Sequence, residues 1–146
     1  MELTRWVRVG LVALLAAPQL FIGVWSLAMP NWWYDDFPGF HAKWVAASGP
    51  YNEHLVSDIG AGFLATRVAL ALAAWWGRRQ PAVLALATYL VFSVPHALYH
   101  SFTRVDSLST ADQVLQAGSL WSGVAFALVL LVGATSSLRH RRLATA

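Results

Sequence analysis

Four apolar runs, each close to the length that crosses a bilayer, constrain this chain more than any other feature of its sequence. A helix needs about 20 predominantly apolar residues to cross a hydrocarbon core about 30 Å thick. The runs cover about residues 6–29, 54–76, 81–100 and 113–136. The pattern predicts an all-α fold, an integral membrane four-helix bundle that forms a single domain over residues 1–146.

The composition agrees with a membrane location. Of 146 residues, 58% are hydrophobic and only 12% are charged, whereas soluble domains carry about 25% charged residues. The chain contains no cysteine, so any metal or catalytic chemistry must use histidine, carboxylate, serine or tyrosine side chains. Disulfide scaffolds and thiol catalysis are therefore excluded.

The first run has some features of a signal peptide, because Arg5 and Arg8 precede it and the small-residue stretch at 26–28 resembles a cleavage site. The apolar region of a signal peptide has about 7–15 residues, and this run is longer. We expect it to remain as a membrane span. Cleavage within residues 1–28 would leave the other three spans unchanged.

Positive charges indicate the orientation of the bundle. Arginines precede the first span, join the second to the third and follow the fourth: Arg5, Arg8, Arg78, Arg79, Arg139, Arg141 and Arg142. Because cytoplasmic loops carry an excess of Lys and Arg, this pattern predicts a multi-pass protein of the bacterial plasma membrane with both termini cytoplasmic. The topology also explains the net charge of +3, so no nucleic-acid partner is expected.

Residues 30–52, called the lid, connect the first two spans on the opposite, extracytoplasmic side. The lid contains Trp32, Trp33 and Trp44, and such aromatic side chains favour the headgroup level of a bilayer. The lid is therefore predicted to lie on the membrane surface as a short interfacial segment.

Two helix starts have capping signals on the lid side. Asn52 is a predicted N-cap for the second span. Thr110, followed three residues later by Gln113, fits a capping box for the fourth span.

Two pairs of ionisable residues lie near the lid side of the second and third spans. His54 and Asp58 are four residues apart, as are His96 and His100, and this spacing places each pair on one face of its helix. Because the two spans are antiparallel neighbours, His54 should lie level with His100, and Asp58 level with His96. The spacing predicts that four potential ligands converge at the lid end of the bundle.

Ionisable residues inside a membrane are costly and are usually functional. Three imidazoles and a carboxylate are ligands that zinc, iron or copper prefer, so these four residues are a predicted transition-metal site. Glu53 and Tyr89 are the candidate catalytic residues, with Glu53 in proton transfer and Tyr89 or Ser93 lining the adjoining pocket. His41 is an alternative further ligand.

Polar side chains also occur in the other parts of the spans. Gln19 lies in the first span, Gln116 and Ser119 lie in the fourth, and Arg67 lies deeper in the second. Such residues are common between packed membrane helices. Arg67 is expected to reach Gln19 or Tyr89, or to extend toward the cytoplasmic face.

Three stretches resemble a family of uncharacterised small four-helix bacterial integral membrane proteins. They are FPG at 37–39, PYNEHLV-x-D at 50–58 and the PHxxxH motif at 95–100. The resemblance implies a membrane location and an important cluster at the lid end. It confers no established activity.

Three functional hypotheses follow. The first is a metal-dependent enzyme, a hydrolase or an oxidoreductase, that acts on a lipid-like substrate among membrane lipids. The second is a b-type haem protein for electron transfer, with histidines of the second and third spans as axial ligands. The third is a non-catalytic accessory or assembly protein, working as a homo-oligomer or with a partner subunit, in which the polar cluster supports packing or docking.

Overall fold

The computed structural model describes residues 2–15, 18–40 and 42–143. Within these ranges the regular structure is helical, apart from an isolated β-bridge. The elements are α1 (Arg5–Leu15), α2 (Gln19–Ala28), α3 (Pro30–Asp36), a 3-10 turn (Ala46–Ser48), α4 (Glu53–Trp76), α5 (Arg79–Phe102) and α6 (Thr110–Leu143). The predicted all-α fold is confirmed.

Four segments of the described chain are long and apolar enough to cross a membrane. They are Arg5–Ala28, Glu53–Trp76, Arg79–Phe102 and Thr110–Ser136. Each overlaps one of the predicted spans almost completely. The segments fit a polytopic membrane protein, as the apolar runs predict.

The first of these segments contains two helices, α1 and α2. Pro18 stands directly before α2 and has no N–H group to donate to the carbonyl of Leu14, four residues earlier. Arg67, from the middle of α4, donates from Nη1 to that carbonyl oxygen at 2.7 Å. The predicted first span thus contains two described helices, with Pro18 directly before the second.

The two halves of this span have different neighbours. Helix α1 packs against α4 and α6, whereas α2 packs closely against α4. Gly60 permits this close approach, because a Cβ atom there would collide with Ser26 Oγ and with the side chain of Leu27. Among the described residues, no comparable packing joins α2 to α6.

Both ends of α4 are capped. The Asn52 side chain accepts a hydrogen bond from the backbone N–H of Leu55 at 3.1 Å, which confirms the predicted N-cap. At the other end, Gly77 has a φ of 61°, a left-handed conformation that glycine tolerates. Arg8 donates to two carbonyl oxygens in the last turn, at 2.8 Å and 3.2 Å, where the helix dipole favours a cation.

The start of α6 differs from the prediction. Its N-cap is Ser109, whose Oγ accepts a hydrogen bond from the backbone N–H of Asp112 at 3.1 Å and donates one to Asp112 Oδ2 at 2.6 Å. Gln113 turns toward the preceding loop, where it bonds backbone groups of residues 105 and 108. The predicted capping box of Thr110 and Gln113 is wrong because the cap lies one residue earlier.

One end of the bundle, called the arginine end, contains Arg5, Arg8, Arg78 and Arg79. There the backbone N–H of Leu3 donates to the carbonyl of Gly77 at 2.8 Å. The Arg79 guanidinium also donates to the carbonyl of Thr135 in α6. The first helix, the α4–α5 turn and the second half of α6 thus share one end, while the compartment that this end faces stays a prediction.

The largest apolar core lies in the half of the bundle nearer the arginine end. It joins α1, α4, α5 and α6 through residues that include Leu11, Leu14, Leu70, Leu86 and Leu130. A smaller cluster of Trp25, Trp33 and Val56 lies beneath the lid. A large pocket occupies the lid half of the bundle.

Candidate functional site

A cavity of about 700 Å³ lies between the middle of the bundle and the lid. Along α5 its lining extends from Tyr89 to His100, which corresponds to roughly 16 Å at the helical rise of about 1.5 Å per residue. Small-molecule sites typically have volumes of about 300–1,000 Å³. The pocket is therefore large enough for a small organic molecule.

Tyr89 and Gln19 line the inner end of the pocket. Tyr89 is 1% exposed, and its hydroxyl lies close to Gly123 of α6, where a side chain would displace it. Arg67 Cζ lies 5.1 Å from the centroid of the tyrosine ring, in a cation–π contact. The prediction that Arg67 reaches Tyr89 is confirmed, and the guanidinium does not itself line the pocket.

Helices α2 and α6 provide facing walls. Phe21 and Trp25 line the pocket from α2, and Leu115 and Leu120 line it from α6. Since α2 and α6 lack substantial mutual packing among the described residues, the pocket occupies the space between them. Both α1 and α2 pack on α4, but only α1 also packs substantially on α6, which leaves the space beside α2.

The part of the pocket nearest the lid is polar. His100 Nδ1 lies 3.1 Å from Gln116 Oε1. With the oxygen of the Gln116 amide facing the ring, Nδ1 is the donor and Nε2 is left as an acceptor. Ser119 lines the same part of the pocket, one turn along α6 from Gln116.

His96 lies one helical turn from His100, and the centroids of their rings are 4.9 Å apart. Aromatic neighbours hold it in place: Phe92 stacks on the ring at 6.1 Å, and Phe63 meets it edge-on at 6.0 Å. Its ring nitrogens make no hydrogen bond to another residue in the described ranges. Since His96 lines the pocket, these nitrogens are available to a bound molecule.

Aromatic side chains of the lid cover this polar part. Trp33 is 3% exposed and belongs to the small apolar cluster beneath the lid. The ring centroid of Phe37 lies 5.5 Å from that of Trp33 and 6.0 Å from that of Trp44. All three residues line the pocket, so the lid forms its outer wall.

A hydrogen bond joins the lid to α6. Trp44 Nε1 donates to Asp112 Oδ1 at 3.0 Å, and we call this pair the latch. The other carboxylate oxygen accepts from Ser109, the N-cap of α6. The latch thus connects the lid to the helix that forms the far wall of the pocket.

The base of the lid is held by two tyrosines. The rings of Tyr34 and Tyr51 meet edge-on with centroids 5.2 Å apart, and the Tyr34 hydroxyl donates to the carbonyl of Gly49. Burial raises the pKa of Tyr51, and the carboxylates of Glu53 and Asp35 raise it further. The Tyr51 hydroxyl is therefore protonated at physiological pH.

The four predicted metal ligands form two pairs in different surroundings. The side chains of His54 and Asp58 are 82% and 63% exposed, with Nε2 and Oδ2 3.5 Å apart. His96 and His100 line the pocket instead. In the part of the chain that the structure describes, no three His, Asp or Glu side chains form a group that could hold a metal ion.

The expected convergence of the two pairs is absent because equal depth does not fix the direction of a side chain. Val56, Gly60 and Phe63 are buried and form the inner face of α4 at this level. Asp58 lies two residues beyond Val56, about 200° around the helix at about 100° per residue. It therefore lies on the outer surface together with His54.

The other predicted site residues are also divided. Tyr89 lines the pocket, whereas Glu53 is exposed at the first residue of α4 and is not part of the lining. Ser93 is buried on α5 but does not line the pocket. His41 lies outside the described residues.

Two parts of the site were not predicted: the latch and the space between α2 and α6. Pro18, in the middle of the first apolar run, is the sequence signal for that space. No sequence signal pairs Trp44 with Asp112, because their contact depends on the path of the whole lid. Gln116 and Ser119, in contrast, belong to the polar residues noted in the fourth span.

Comparisons with known proteins assign no function to this arrangement. No protein family, curated protein or solved structure matches the chain. Functional conclusions therefore rest on the geometry of the pocket.

Proposed function

We propose that this polytopic membrane protein binds a lipid-like molecule in the pocket beneath the lid. The main support is the position of the pocket. The pocket lies between α2 and α6, within the membrane-spanning part of the bundle. A molecule dissolved in the bilayer can enter between these helices without passing through water. Apolar and aromatic walls with a few polar groups are typical of sites for such molecules.

His96, His100 and Gln116 are proposed to bind the polar group of that molecule. A polar group that leaves water or the headgroup region needs hydrogen-bond partners, and these three side chains offer them at the lid end of the pocket. The apolar part of the molecule would then lie against Trp25 and extend toward Tyr89. An imidazole in this place can also act as a general base, so a reaction of the bound molecule is compatible with the proposal.

Substitutions at two neighbouring positions of α6 test the proposal, because only one of them should displace a bound molecule. Ser119 lines the pocket, whereas Gly118, the preceding residue, faces open space. Ser119→Phe should fill the pocket, and Gly118→Phe should leave it free. Native mass spectrometry in mild detergent should find a lipid-like molecule on the wild type and on Gly118→Phe, and less of it on Ser119→Phe. Equal retention by both variants would place the molecule elsewhere.

The lid end is proposed to face the outside of a bacterial plasma membrane, with both termini cytoplasmic. The grouping of Arg5, Arg8, Arg78 and Arg79 at the opposite end supports this orientation, since positive residues favour the cytoplasmic side. The chain has no cysteine, so single-cysteine variants can test it. A membrane-impermeant maleimide should label Ser107→Cys in intact cells, and Gln80→Cys only after the membrane is opened. The reverse result would invert the topology.

A transition metal bound at His96 and His100 is a second proposal. The observation that favours it is that both imidazoles line the pocket one helical turn apart. Two protein ligands leave positions for water or for the bound molecule, and zinc, iron and copper all accept imidazole. The haem alternative needs an axial histidine from each of the second and third spans, and it gains no support because His54 of the second span is 82% exposed and lies outside the pocket lining.

Elemental analysis of protein purified without a histidine tag tests the metal proposal. The double variant His96→Ala, His100→Ala should lose a metal that the wild type carries. The double variant His54→Ala, Asp58→Ala should keep it, because that pair lies on the surface. A metal-free wild type after reconstitution, or loss of metal only with the surface pair, would reject the proposal.

A further inference from the structure

We infer that the pocket selects an uncharged lipid alcohol and binds its hydroxyl group at His100. The inference rests on the proposed function and adds the chemical class of the bound molecule. Three features carry it: the charge of the lining, the proton position on His100, and the shape of the pocket.

Among the described residues, those that line the pocket include no charged side chain. No Asp, Glu, Lys or Arg side chain is part of the lining. Arg67 is 1% exposed, donates to the carbonyl of Leu14 and lies against the ring of Tyr89, at the inner end of the pocket and outside its lining. Beside His100, a carboxylate, phosphate or ammonium group would therefore be buried without an ion-pair partner in the lining, which is unfavourable.

His100 offers an acceptor that needs a donor. Its Nδ1–H is engaged by Gln116 Oε1, so its Nε2 carries a lone pair. No residue in the described ranges donates to that nitrogen. His100 is half-buried, and the hydroxyl of an alcohol can donate to its Nε2 atom, whereas an ester or a ketone has no proton to donate. Two other lining residues, Trp25 and Trp33, have buried Nε1–H donors without a partner in the described ranges. A hydroxyl can donate to His100 and can also accept from such a donor, whereas an ester or a ketone can only accept, so the geometry favours an alcohol.

The pocket is long enough for a hydrocarbon chain. From His100 to Tyr89 the lining spans roughly 16 Å along α5, and the walls between these residues are mainly apolar, including Ile22 and Trp25. The space between α2 and α6 lets a longer chain continue into the bilayer. Fatty alcohols, prenols and monoacylglycerols belong to the class that meets these conditions.

Competition among three lipids with the same chain and different polar groups tests the inference. The probes are oleyl alcohol, methyl oleate and oleate at about pH 10, where a carboxylic acid is ionised even in a detergent micelle. Native mass spectrometry measures the bound fraction of each lipid. The alcohol should bind about tenfold more tightly than the ester, the effect of one additional hydrogen bond. Oleate should bind more weakly than the alcohol because its charge has no partner.

Two variants show whether His100 causes the preference. His100→Phe keeps a ring of similar size and removes the acceptor, so the affinity for the alcohol should fall about tenfold, to that of the ester. The affinity for the ester should not change, which also shows that the variant pocket is folded. His54→Phe, a matched change at an exposed position of α4, should leave all three affinities unchanged.

The outcomes separate this inference from the proposed function. If oleate or methyl oleate binds as tightly as oleyl alcohol, or if the preference for the alcohol survives in His100→Phe, the inference is overturned while the pocket remains a lipid site. If Ser119→Phe leaves the binding of all three lipids unchanged, the lipids occupy another surface and the proposed function itself fails.

Discussion

Arg67 donates a hydrogen bond from Nη1 to the carbonyl oxygen of Leu14 at 2.7 Å, across the packed surface between α4 and α1. In a continuous helix this carbonyl would accept from the N–H of residue 18, but residue 18 is proline. Water is absent from the bilayer core, so an unpaired carbonyl there is costly. Arg67 therefore satisfies the carbonyl that Pro18 leaves without an N–H partner.

A double-mutant cycle should detect this relationship. Arg67→Met leaves the Leu14 carbonyl unpaired and should lower the free energy of unfolding by about 1–3 kcal/mol. Pro18→Ala supplies an N–H group for the same carbonyl, so the loss caused by Arg67→Met should be smaller by about 1 kcal/mol in that background. Thermal or detergent-induced unfolding of the four proteins measures the coupling.

A second proline provides the control for this cycle. Pro81 lies in the first turn of α5, where a missing N–H group is tolerated. Pro81→Ala should show no coupling with Arg67→Met. Equal losses from Arg67→Met in the wild-type and Pro18→Ala backgrounds would contradict the assigned role.

The latch should slow the opening of the lid. Trp44→Phe keeps an aromatic ring beside Phe37 and removes the donor to Asp112. Amide hydrogen exchange in the lid should become about threefold to tenfold faster, the effect of about 0.5–1.5 kcal/mol. Trp32→Phe is the matched control, because Trp32 is 56% exposed. Equal exchange in the two variants would show that the latch does not limit opening.

The position of the cap on α6 can be tested with two neighbouring substitutions. Ser109→Ala removes the side chain that accepts from the backbone N–H of Asp112 and should cost about 1 kcal/mol of unfolding free energy. Thr110→Ala should change it by less than about 0.5 kcal/mol, because Thr110 is exposed. Chemical unfolding in detergent compares the two, and a larger loss with Thr110→Ala would restore the original assignment.

Gly60 should tolerate a methyl group poorly. A Cβ atom there would collide with Ser26 and Leu27, so Gly60→Ala should force α2 and α4 apart and cost about 1–3 kcal/mol. Gly118 faces open space on α6, and Gly118→Ala should stabilise the helix by about 0.5–1 kcal/mol. Melting temperatures of the two variants should therefore shift in opposite directions. A gain in stability from Gly60→Ala would show that the contact between α2 and α4 is looser than described.

Several features of the fold followed from short stretches of sequence. The four spans follow from the length and hydropathy of the apolar runs, because crossing a bilayer imposes the same requirement on each helix separately. The Asn52 cap was predicted for a similar reason, since its partner is only three residues away. The cap on α6 was misplaced by one residue because Ser109 and Thr110 are both suitable capping residues.

The candidate site was predicted only in part. His96 and His100 share a helix, so their spacing predicted that they lie together. Whether they meet His54 and Asp58 depends on the rotation of α4 about its axis, and the burial of Val56, Gly60 and Phe63 sets that rotation. Residue numbers gave the depth of each side chain along the two helices. They did not give the direction in which each side chain points from its helix axis.

The sequence by itself determined a helical membrane protein with four spans, a grouping of arginines, and a pair of histidines near one end of the third span. Only the tertiary structure decided that Arg67 meets Leu14, that Trp44 meets Asp112, and that α2 lies apart from α6. The physical reason is the range of the interactions involved. Hydropathy, capping and helical spacing act within a few residues, whereas the pocket depends on packing between segments that are distant in the chain.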